Sequence, residues 1–158
     1  MNTSLLHMGA SVLLSLLFSL THRAYAQGGT GGFLLSNFYQ AKEMLTEEGV
    51  PYTIRFTDKG TLYIRAYLND ALELGLVFDK VDGEDRVVAT VLFPKNPAAH
   101  HAFIEYLNAT LVRKSKTEWL AYAREGAIIT TKMMYVPDVE RYVFLTYISD
   151  RAPLLKDW

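Results

Sequence analysis

The chain has 158 residues, a formal net charge of -1 and no cysteine. The charge is near balance and Lys and Arg are scattered along the chain, so there is no basic stripe of the kind a nucleic-acid binder presents. The missing thiols exclude a disulfide framework, a thiolate zinc site, an iron–sulfur cluster, a cysteine nucleophile and a lipidated N-terminal cysteine.

Residues 1–26 read as a signal peptide. "SVLLSLLFSL" (11–20) is an apolar run of signal-peptide length and falls short of the roughly 20 apolar residues of a membrane span. Ala24 and Ala26 then occupy the two small positions of an A-x-A cleavage site. Cleavage between Ala26 and Gln27 is expected, leaving no stable membrane anchor. The segment before the apolar run, "MNTSLLHMGA", lacks Lys and Arg and in this departs from the usual pattern. Export places the protein in the periplasm or outside the cell. A cysteine-free exported chain fits a bacterial envelope or exterior. "QGGTGG" (27–32) is a flexible glycine-rich linker by composition. Residues 33–158 are expected to form a single domain.

"FLLSNFYQAKEMLTEEG" (33–49) predicts a first helix. Leu34, Phe38, Ala41 and Leu45 form one stripe of a 3.6-residue period, and Gly49 followed by Pro51 ends it. Four strands follow, 52–58, 61–68, 72–79 and 86–93, the first three with alternating side-chain faces. The turns between them are "DKG" (58–60), "LND" (68–70) and "VDGED" (81–85). "RVVATVLF" (86–93) is more continuously apolar, as a central strand is. Asn96 caps a second helix with Pro97 at its first position. This helix runs to about Leu111 with a stripe of Ala99, Phe103, Leu107 and Leu111. "RKSK" (113–116) is expected to close it, with cations at the negative end of the helix dipole. Three strands finish the chain: 117–126, 127–136 and 141–149, with Glu125-Gly126 and "PDVE" (137–140) as turns. Leu154, Leu155 and Trp158 suggest that the tail packs back onto the domain.

The fold class is therefore α+β, with the order α-β-β-β-β-α-β-β-β. A mainly antiparallel sheet of about seven strands carries two helices on one face. No helix alternates strand by strand, which argues against a parallel sheet. The element order is similar to that of type III secretion chaperones and TATA-binding-like domains. The similarity is in order only, and no residue motif brings a function with it.

His100 and His101 are adjacent on the second helix and diverge by about 100°, so one metal cannot easily take both. His101 and Glu105 have ligand spacing, but no third nitrogen or sulfur ligand completes a shell. His100 is expected to face the sheet and His101 the solvent. "VDGED" lacks calcium-loop spacing. No serine sits in a G-x-S-x-G context. "NAT" (108–110) matches a glycosylation sequon, but Asn108 lies within the second helix. No catalytic residue, metal site or cofactor is assigned. The remaining candidate is the strand face opposite the Leu/Ile stripes. There Tyr63, Arg65, Tyr67, Tyr122 and Arg124 form an aromatic and cationic surface suited to binding. The expected function is that of a small exported binding or protein-interaction module, its partner a protein or small ligand and not a nucleic acid. The alternatives are a small envelope hydrolase using carboxylates or His101, and an inhibitor or subunit that acts only in a complex.

Overall fold

The structure is a computed structural model that describes residues 32–122 and 126–151. The predicted signal peptide, the expected cleavage site at Ala26 and Gln27, the glycine-rich stretch up to residue 31, Arg124, Glu125 of the turn predicted at Glu125-Gly126 and the tail from residue 152 on lie outside the described residues.

Among the described residues two α-helices and eight strands follow in the order α1 (Phe38–Glu47), β1 (Tyr52–Phe56), β2 (Leu62–Asn69), β3 (Leu72–Val81), β4 (Glu84–Pro94), α2 (Pro97–Thr110), β5 (Val112–Arg113), β6 (Glu118–Tyr122), β7 (Ile128–Val136) and β8 (Arg141–Ile148). The strands form one sheet in the order β1-β2-β3-β4-β8-β7-β6-β5, and every pairing is antiparallel. The α+β class and the element order match expectation, with one strand more than about seven. The chain builds a meander from one edge to the centre, crosses by α2 to the other edge, and meanders back. Each half is one helix followed by four strands, and the two halves meet where β4 pairs with β8.

The first helix is shorter than the sequence suggests. Phe33 to Leu35 lie in a turn, and the helix starts only after Asn37. Asn37 accepts from the Gln40 backbone N–H, and the Gln40 side chain accepts from the Asn37 N–H. This reciprocal capping box satisfies two orphan amides. Ser36, expected inside the helix, precedes it. At the other end Gly49 takes φ +66, and the N–H groups of Gly49 and Val50 donate to Thr46 and Leu45. That is a Schellman closure, in which Val50 packs beside Leu45 in the core. The segment before α1 also seals a gap in the sheet. Leu35 and Ser36 exchange backbone hydrogen bonds with Val87, covering the start of β4 where β8 does not reach.

The second helix ends at Thr110, and Leu111 is already extended. Val112 and Arg113 pair with Leu120 and Trp119 as a short edge strand. Arg113 and the lysines after it are therefore not part of the helix's last turn, because strand pairing takes the backbone from Val112 on.

Both helices pack on one face of the sheet. Ala41, Leu45 and Leu107 meet Ile64, Leu74, Leu76, Trp119 and Phe144 in a buried core. Phe103 stacks edge-on against Phe144 at 4.7 Å. Trp119 is fully buried, and its Nε1 donates to the Asn108 Oδ1 at 2.9 Å. The amide of the sequon-like "NAT" is thus engaged in holding α2 to β6. The opposite face, termed the far face, differs from the sequence reading of an outward surface. Val77, Ala89, Val91, Val143 and Leu145 are buried there as a second apolar cluster, flanked by Phe93, Met134, Val136 and Tyr147. The central strands β3, β4 and β8 are apolar on both sides, which accounts for their continuous hydrophobic runs.

Candidate functional site on the far face

Register determines which side chains share the far face. Tyr63, Arg65 and Tyr67 alternate along β2 and pair with Val77, Gly75 and Glu73 of β3. Glu73 pairs onward with Phe93 of β4. Arg65 is thus diagonal to Glu73, and Lys95, two residues beyond Phe93, approaches from the other side. The three charges form one cluster. Arg65 Nε donates to Glu73 Oε2 at 2.7 Å, Arg65 Nη2 lies 2.5 Å from the same oxygen, and Lys95 Nζ lies 2.5 Å from Glu73 Oε1.

Glu73 is 5% exposed, whereas both cations keep partial contact with water. Burial pushes its carboxyl pKa up, but the hydrogen bonds and charges of Lys95 and Arg65 outweigh this and hold it below the usual carboxylate range. Glu73 is therefore an ionised anchor with both oxygens occupied. Arg65 also lies over the Tyr67 ring, 5.7 Å from its centroid. The result is two positioned cations and two tyrosines around one carboxylate, with a surplus of positive charge.

The sequence-predicted residues separate into two places. Tyr63, Arg65 and Tyr67 are together on β2, half-buried rather than fully exposed. Tyr122 is 62% exposed at the end of β6. β6 stands five positions from β2 in the sheet order, or about 24 Å at the usual strand spacing. Arg124 lies outside the described residues. Glu73 and Lys95 belong to the site and were missed by sequence reading. The available signal was a lone carboxylate in the otherwise apolar run "LELGLVF" (72–78). Such a residue in a central strand requires a cationic partner, but which cation serves depends on register.

The histidines sit apart from this cluster. His100 packs on the helix face of the sheet, its ring 5.2 Å from Phe144 and 5.9 Å from Tyr142. Burial, with a smaller contribution from the neighbouring His101, lowers its pKa. His101 points to solvent, with Nε2 3.3 Å from Glu105 Oε1. At the β3–β4 turn, Asp82 and Gly83 both take positive φ, as a two-residue type I′ hairpin requires. Its acids pair locally, Asp85 with Lys80 and Glu84 with Arg86. Among the described residues no group of three or more His, Asp or Glu side chains could hold a metal ion, and no helix is long and apolar enough to cross a membrane.

Comparison with protein-family models, curated proteins and solved structures finds no match to this chain.

Proposed function

We propose that this protein is an exported binding or protein-interaction module that engages its partner through the Tyr63–Arg65–Tyr67 end of the far face. The observation that carries this reading is the anchoring of Arg65 and Lys95 by the buried Glu73. Side chains already held in place lose little freedom on binding. Arg and Tyr are the residues most often found at energetic centres of interfaces. The rest of the Arg65 guanidinium and the Lys95 ammonium suit a partner that presents a carboxylate or other anionic group. Glu73 is poorly suited to give or take a proton, because both its oxygens already accept from cations. The apolar leader and A-x-A site support export to the periplasm or the cell exterior.

The test uses the exported form of the protein, for which an intact mass starting at Gln27 is expected. It is used to capture partners from envelope extract. The paired change Arg65→Gln with Glu73→Gln removes a cation without leaving the buried carboxylate short of a partner. Capture is expected to be retained by Tyr122→Ala and weakened at least tenfold by the paired change. Undiminished capture by the paired variant, with its fold intact, would contradict the site. A mass that still includes residues 1–26 would contradict cleavage.

A further inference from the structure

Among the described residues no strand pairs with the outer side of β1, which ends the sheet. Two hydrogen bonds that bracket the strand determine where its backbone points. Tyr67 N–H donates to the Pro51 C=O at one end, and Thr57 N–H donates to the Thr61 C=O at the other. Bonded and non-bonded pairs alternate in an antiparallel ladder. Thr53 and Arg55, opposite Arg65 and Tyr63, therefore turn their N–H and C=O toward β2. Tyr52, Ile54 and Phe56 turn theirs away from the sheet. These same three residues carry apolar side chains, and Ile54 is 43% and Phe56 67% exposed.

We propose that β1 is a self-association edge, to which a second copy of this chain adds its own β1 antiparallel about a two-fold axis at Ile54. In this register Ile54 faces Ile54, Tyr52 faces Phe56, and Thr53 faces Arg55 of the second copy. Three observations favour a second copy as the occupant. The outward N–H and C=O groups of residues 52, 54 and 56 coincide with their own images on that axis, the isologous condition for a symmetric dimer. The apolar ladder is self-complementary, and like charges do not face each other directly. Arg55 is exposed and makes no ion pair among the described residues, and the register sets it across from Thr53. The Thr53 Oγ1 is buried without a hydrogen-bond partner. The edge also carries little protection against such pairing, since Arg55 is the only charge within the strand and the proline lies before it.

One strand pair buries less than the roughly 1,200 Å² of a stable standard interface, so the association is weak and depends on concentration. It has a consequence for the far face. Three strand spacings, about 14 Å, would separate β2 of one copy from β2 of the other. Two Tyr63–Arg65–Tyr67 clusters would then lie on one continuous surface. That consequence rests on the binding reading of the far face; the pairing itself does not.

Sedimentation velocity of the full chain over a range of loading concentrations tests the pairing. The wild type is expected to move reversibly from monomer toward twice the monomer mass. Ile54→Pro removes an outward N–H but no bond to β2, a substitution that edge strands accommodate. It is expected to abolish association while the melting temperature stays within a few degrees. Ile54→Lys, which sets two cations against each other on the axis, is expected to do the same. A wild type that stays monomeric at millimolar loading would overturn the proposal. So would folded Ile54→Pro and Ile54→Lys variants that associate like the wild type.

Discussion

Glu73 and His100 both bind a proton less readily in the fold than in the open chain. Glu73 is held ionised by Lys95 and Arg65 against its burial. Partial burial against Phe144 and Tyr142 disfavours the charged form of His100, with His101 adding to the effect. The sign of the linkage is the same for both. A group whose folded pKa is lowered contributes stability that is complete above its unfolded pKa and is lost as the pH falls through the folded value. Stability should therefore begin to fall below about 6.5, the ordinary histidine value, and fall again below about 4.5, the ordinary glutamate value. Urea midpoints measured across this range check the expectation. His100→Gln should remove the upper slope and leave the lower one. A midpoint that stays level from neutral pH down through the histidine range would show that His100 is not half-buried against the sheet as described. The placement of the two histidines was legible in the sequence, because helical geometry alone separates neighbours. The Glu73 cluster was not, because it depends on a diagonal contact across three strands.

At the scale of elements, the apolar periodicities were legible and the ends were not. The alternation in β2 and β3 and the Ala99, Phe103 and Leu107 stripe of α2 reproduce the faces found in the fold, since burial enforces both periods. The start of α1 was misplaced because Leu34 fits the helical stripe, yet it is buried from a turn that precedes the Asn37–Gln40 capping box. The end of α2 was misread because "RKSK" suits a helix terminus electrostatically, while pairing of Val112 and Arg113 with β6 decides the conformation. Such pairing is a long-range fact that local charge does not report. The contact between α2 and the sheet gives a direct test. Leu107 is buried, and Phe103 packs partly buried on Phe144. Leu107→Ala is expected to cost about 2–5 kcal/mol, and Phe103→Ala toward the lower end of that range because its ring is only partly enclosed. Thermal and urea unfolding of the two variants measure this. An unchanged midpoint for Leu107→Ala would mean that α2 does not seat on the sheet in this way.

At the scale of the whole molecule, the palindromic strand order divides the chain into two units of one helix and four strands, joined at β4 and β8. This symmetry was hidden in the sequence because β5 is only two residues long, so the second half counts as three strands. The same topology assigns the surfaces. Both helices take one face, the centre of the other is apolar and buried, and charge with aromatic character is left on β2 and β3 at one end. Tyr122 lies near the opposite end, so the aromatic surface read from the sequence is two separate places. Binding at the β2–β3 end is tested most directly by backbone amide chemical shifts of residues 27–158, followed while a captured partner is added. The largest changes are expected at Tyr63, Arg65, Tyr67, Glu73 and Lys95, with Tyr122 and the solvent side of α2 unmoved. Changes centred on His101 and Glu105, or on Tyr122, with the Arg65 cluster silent, would contradict it.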